Sequence, residues 1–158
     1  MIHLQFPWLP PSINNLYHDQ AVHVGGKGRF KKIIIKRVLT DEGKLFKKET
    51  LSYLVKGYQP QLRFFKKNVP YLFYYRFITP DLFNKTWPKE AESRYKRFDA
   101  SNLVKVLEDV VVEACGVDDS NYLTVVSEKR KGTSEETHIW VWNLEEEGCP
   151  FHAAALSI

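Results

Sequence analysis

Cysteine is scarce in this chain, at two of 158 residues, and neither Cys115 nor Cys149 stands in a C-x-x-C spacing. A cysteine-ligated metal centre is therefore not expected, and Cys115, on an apolar helical stretch, reads as a buried reduced thiol. Long apolar runs are also missing. None approaches the roughly 18 residues that suggest a membrane span, and the opening MIHLQFPWLPP lacks the basic start and apolar run of a secretory leader. A cytoplasmic protein without a membrane partner is expected. The five histidines are scattered without ligand spacing. Gly-Gly-Lys-Gly at 25–28 lacks the G-x-x-x-x-G-K-[ST] pattern that cradles phosphate. Internal repeats and low-complexity segments are absent as well.

What is present suits one folded domain. The length falls within the roughly 100–200 residues of a typical domain, and 44% hydrophobic residues with 14% aromatics are enough for a core. Charge is unevenly spread. Residues 1–67 hold thirteen Lys and Arg against four acids, net +9, whereas residues 68–158 hold ten against fifteen, net −5. A basic half suits a polyanion, because each phosphate it neutralises releases counterions.

Pattern and propensity divide the chain into elements. IHLQF at 2–6 reads as a strand. PWLPPSINNLY is too rich in proline for a helix and favours turns. His18 to Gly28 reads as a polar, glycine-bearing loop. RFKKIIIKR at 29–37 reads as a strand on its three β-branched Ile. A helix follows, with Thr40 as N-cap, Asp41 and Glu42 in its first turn, and Gly57 as its stop; Gly43 is an awkward residue inside it. VPYLFYYRFIT at 69–79 is aromatic on both faces and belongs in the middle of a sheet. Residues 80–98 form a long polar and aromatic connection. The second helix spans 101–115, with Leu103, Leu107, Val110 and Ala114 on one stripe, Ser101 as its N-cap candidate and Gly116 as its stop. Two strands, about 121–130 and 136–144, complete an α+β fold: a mixed sheet of four to five strands with two main helices in a single domain. The domain covers residues 1–144, and the tail 145–158 has no assigned role.

Acids flank the second helix. Asp99 precedes it, and Asp118 and Asp119 follow it. A helix of about fifteen residues is roughly 22 Å long, so the two ends meet at one ion only if the segment after Gly116 folds back or a second subunit supplies one end. Hydrolysis of a phosphodiester needs such groups. Mg²⁺ takes hard oxygen ligands and keeps several waters, and a nearby cation, here Lys105, stabilises the developing charge. Asp99, Asp118 and Asp119 are thus candidate metal ligands, with Lys105 as a catalytic partner. Each also has a plainer reading, as a turn residue or a solvated helix residue. The candidate phosphate contacts are Arg29, Lys31, Lys32, Lys36, Arg37, Lys47 and Lys48. Phe83, Trp87 and Tyr95 are candidates for stacking on unpaired bases, while core packing suits Phe30 better.

Together these motifs resemble the RusA family of Holliday junction resolvases. D-A-S-N-L-V-K at 99–105 resembles the family's D-x-D-N-x-x-K, and G-V-D-D-S-N at 116–121 resembles its paired Asp. FPWLPPSINNLY and LTDEGKLFKKE are similar to two further family segments in the same order. The resemblance implies a RusA-like fold and a homodimeric, Mg²⁺-dependent endonuclease. Such enzymes cut branched DNA, above all four-way junctions, in recombination and repair, and they often come from prophages. Asp99 then corresponds to the first metal-binding Asp, Asp119 to the Asp of the pair with Asp118 as its neighbour, Lys105 to the catalytic lysine and Asn102 to the motif Asn. Asp109 falls where the family helix often carries an Asp. Ser101 departs from the pattern, because it replaces the second motif Asp. The departure leaves three outcomes: the remaining acids suffice, another acid such as Glu92 substitutes, or DNA binding persists with cleavage weak or lost. A basic adaptor for protein partners is a further reading, from another class.

Overall fold

The computed structural model describes residues 1–24, 32–96 and 99–151. Strands β1 (Ile2–Phe6), β4 (Tyr71–Thr79), β5 (Tyr122–Lys131) and β6 (Glu136–Asn143) form a four-stranded sheet in the order β1-β6-β4-β5. Strands β2 (Tyr17–Val24) and β3 (Lys32–Leu39) form a separate antiparallel ribbon. The helices are α1 (Ile13–Leu16), α2 (Asp41–Gly57), α3 (Gln59–Leu62) and α4 (Ala100–Cys115). This is the expected α+β fold, with two main helices and a mixed sheet.

The aromatic strand β4 lies centrally, antiparallel to β6 and parallel to β5. Parallel neighbours need a crossover, and α4 supplies it. Alternation along β4 buries Tyr71, Phe73, Tyr75 and Phe77. In the same core α4 buries Leu103, Val104, Leu107, Val110 and Val111. Each such aliphatic side chain contributes about 1.5–3 kcal/mol of apolar transfer. The first strand pairs with the last, Ile2 opposite Val141. On the other sheet face His3, His138 and Trp140 lie near-parallel, with centroids 4.8–5.4 Å apart. The tail turns back towards that face, where Phe151 lies 6.0 Å from Tyr74 and 6.5 Å from Trp142.

Several expectations change. Of the loop expected over 18–28, residues 18–24 are strand instead, because the branched side chains of β3 give them a partner along their full length; residues 25–28 lie outside the described residues. PPSINNLY contains one helical turn, since the prolines precede it and Ser12 Oγ accepts from the Asn14 N–H at 3.4 Å. Helix α4 is capped by Asp99, not Ser101. Asp99 holds extended backbone angles and its Oδ1 accepts from the Ser101 N–H at 3.0 Å, while Ser101 is already helical. Thr40 caps α2 as expected, accepting from the Gly43 N–H at 3.1 Å. The awkward Gly43 also has a reason. A Cβ there would stand 2.6 Å from the Leu16 carbonyl oxygen, so glycine lets α2 pass close to α1. Gly116 ends α4 in the left-handed region at φ +66, its N–H donating to the Val112 carbonyl.

Candidate functional site

The polar side of α4 organises the candidate residues. At its N-terminal end Asp99 and Asn102 line a cleft of about 570 Å³ with Asn14, Tyr95 and Lys129. Hydrogen bonds from the Ser101 hydroxyl and backbone N–H, with Lys129 nearby, hold the exposed Asp99 carboxyl below the usual value. Ser101 is therefore bound up with Asp99 as a donor. A carboxylate at 101 would repel Asp99 instead.

Along the C-terminal half, Lys105, Glu108, Asp109 and Asp118 line a second cleft of about 540 Å³ with Lys47. Asp118 enters it because the left-handed turn at Gly116 reverses the chain. Its Oδ1 accepts from the Ser120 N–H at 2.9 Å and starts the 3₁₀ turn Asp119–Asn121. The side chain of Asp119 lies outside the described residues, as does that of Lys32. Arg29, Phe30 and Lys31 lie wholly outside them.

Strand β2 meets this arrangement at Asp109. The Tyr17 hydroxyl donates to Asp109 Oδ2 at 2.8 Å. Burial first, then that hydrogen bond, pushes the Tyr17 phenol up to about 12. The Arg37 guanidinium lies over the same ring at 5.2 Å. Leu16 packs with Val106 of α4, so α1 and β2 are anchored on the helix. The fold thus brings the PPSINNLY segment onto the D-A-S-N-L-V-K helix. Asn14, Tyr17 and Lys129 escaped the reading of the sequence as site residues, because their places depend on packing between distant segments.

The remaining candidates fall on several surfaces. Lys36 and Arg37 are exposed on β3. Lys47 pairs with Glu113 at 2.7 Å, bridging α2 and α4. Lys48 lines a separate cavity with Trp8 and Tyr53. The connection 80–96 folds on itself, with the Asn84 N–H donating to the Arg94 carbonyl and the Lys96 N–H to the Leu82 carbonyl. The Phe83 and Tyr95 rings meet at 5.4 Å, and Tyr95 and Trp87 are about half exposed. Glu92 is exposed next to Ser93, which lines the Asp99 cleft.

Sixteen residues of α4 put about 24 Å between its ends. Asp99 and Asp118 of one chain accordingly line different clefts, and among the described residues no group of three His, Cys, Asp or Glu is placed to hold a metal ion. Mg²⁺ asks less of a protein, one or two carboxylates plus a substrate phosphate. The cleft lined by Asp118, Asp109 and Lys105 carries carboxylates and a cation of that kind. No helix among the described residues is long and apolar enough to cross a membrane. Compared with known proteins, the chain matches no family model and no curated protein.

Proposed function

We propose that this chain is a Mg²⁺-dependent endonuclease acting on branched DNA, four-way junctions above all, as a pair of identical subunits. One observation carries the reading: α4 has Asp99 as its N-cap, and at its other end Asp118 shares a cleft with Lys105. Two copies related by a two-fold axis across the middle of α4 run their helices antiparallel, which sets Asp99 of one beside Asp118 of the other. Asp118, its neighbour Asp119 and the second copy's Asp99 are the groups that would hold Mg²⁺. Bound there, the ion neutralises charge on the scissile phosphate. Lys105 stabilises the negative charge that develops on the phosphate oxygens. Tyr17 fixes the orientation of Asp109 in the same cleft. The basic first half of the chain holds the DNA arms. The motif resemblance to the RusA resolvases supports the same assignment.

Subunit complementation tests it. Asp99→Asn and Asp118→Asn should each abolish Mg²⁺-dependent nicking of a labelled four-way junction. After the two are mixed, half of the random pairs carry one intact composite site, so nicking should return to about a quarter of the wild-type level. Two inactive variants that stay inactive when mixed would overturn the shared site. Wild-type protein that neither binds nor nicks junctions would overturn the nuclease.

The hydrogen bonds from Ser101 to Asp99 favour one second reading. In it the chain binds branched DNA through the same surfaces but cleaves weakly or not at all, since Ser101 supplies no carboxylate. Salt-sensitive junction binding without nicking is its signature.

A further inference from the structure

Ile33 and Ile35 are 59% and 70% exposed on the β2–β3 ribbon. Their register partners are His23 and Ala21. Residues directly opposite in an antiparallel pair share a face, and side chains alternate along a strand. Ile33, Ile35, Ala21 and Tyr17 therefore lie on one face of the ribbon. That face continues onto the site, because Tyr17 donates to Asp109 in the cleft with Lys105 and Asp118. Four residues of extended chain from Tyr17 to Ala21 place Ile35 about 13 Å from Tyr17. In the sequence, residues 20–40 hold six Lys and Arg and no acid; Lys36 and Arg37 follow Ile35 in β3 and are exposed, and the acid of this face, Asp19, stands opposite Arg37. Exposed aliphatic side chains on a segment of net positive charge suit a polyanion with accessible apolar faces, which is the chemistry of unstacked nucleic-acid bases.

We propose that Ile33 and Ile35 form an apolar wedge that packs against unstacked bases at the branch point of the DNA held in the α4 cleft. The wedge makes the protein selective for branched over linear duplex. An unpaired or strained branch point costs less to unstack than a continuous helix, so an apolar probe there discriminates by structure rather than by base sequence. This inference rests on the reading of the cleft as a DNA site.

The test uses the full chain without Mg²⁺, a four-way junction carrying 2-aminopurine at its branch point, and a linear duplex of equal length. The double variant Ile33→Thr/Ile35→Thr keeps β-branched residues in the strand; Ile35→Thr alone serves if the double variant does not fold. Wild-type protein should raise the 2-aminopurine fluorescence and prefer the junction. The variant should lose the fluorescence rise and about tenfold of the preference, with linear-duplex affinity unchanged. An unchanged fluorescence rise and preference in the variant overturns the wedge and leaves the DNA site standing. A shift of the variant towards monomer in sedimentation overturns it too, by assigning the isoleucines to subunit pairing. If wild-type protein has no preference for the junction, the reading of the cleft falls together with the wedge.

Discussion

The hydroxyl of Tyr17 and the carboxylate of Asp109 meet at 2.8 Å, joining the first residue of strand β2 to the C-terminal half of α4. This contact orients a carboxylate inside the cleft and fixes the ribbon's direction relative to it. Removing the hydroxyl with Tyr17→Phe should lower stability by about 1 kcal/mol, the usual net worth of one hydrogen bond. It should also delete a late-titrating component from the phenolate absorbance. The folded-state value of about 12 exceeds the ordinary 10.0 of a phenol. The stabilisation is therefore complete below about pH 10 and disappears as the pH rises through about 12. Urea titrations of both proteins at pH 8 and at pH 11 measure the difference.

Asp99 has two separable roles, as a cap and as a charge. Asp99→Asn keeps an oxygen that accepts from the Ser101 N–H, so Tm near neutral pH should fall only by the charge's small contribution while nicking is lost. Asp99→Ala should lower Tm as well, because the first turn of α4 loses its acceptor. The carboxyl sits below its ordinary 3.8 in the folded protein. Its contribution is present above that ordinary value and is lost as the pH falls through the lower folded value. The Tm difference between wild type and Asp99→Asn should thus be flat from about pH 5 upward and change only in stronger acid.

Ser101→Asp places a carboxylate where the RusA motif that this segment resembles carries one. The new acid enters the first turn of α4, where the helix dipole favours it by about 0.3–1 kcal/mol, against repulsion from Asp99. Nicking of a four-way junction in Mg²⁺ should rise above wild type, and single-turnover rates measure the gain. An equal rate would show that the native acids already satisfy the ion.

Gly43→Ala should destabilise, although alanine is the better helix former by about 1 kcal/mol. The added Cβ would meet the Leu16 carbonyl oxygen at 2.6 Å and Leu39 Cδ2 at 2.8 Å. Backbone cannot swing aside as a side chain does, so overpacking of about 1–3 kcal/mol prevails. Chemical denaturation midpoints give the sign directly.

Local signals were easy to read in this chain. The aromatic run of β4 announced a central strand, Thr40 and Gly116 marked helix ends, and Trp140 and Trp142 alternated with the buried Val141 as written. Strand β2 was hidden, since YHDQAVHV has little intrinsic preference and becomes a strand only against the isoleucines of β3. The cap of α4 was misplaced by two residues because Asp99 and Ser101 are both good caps, and backbone angles decide between them. The acids flanking α4 were legible as a motif. The entry of Asp118 into the Lys105 cleft depends on the turn at Gly116, and the contact of Tyr17 with Asp109 joins segments some ninety residues apart. Neither is encoded in any short window.

The pairing of Ile2 with Val141 sets a timetable for synthesis. At the usual 5–20 residues per second, β1 waits roughly 7–30 s for the strand that completes its hydrogen bonds. During that interval its apolar face, Ile2, Leu4 and Phe6, is without its β6 neighbour. A nascent chain halted before β6 would expose those residues to chaperones, and a truncated product would be a candidate for rapid proteolysis.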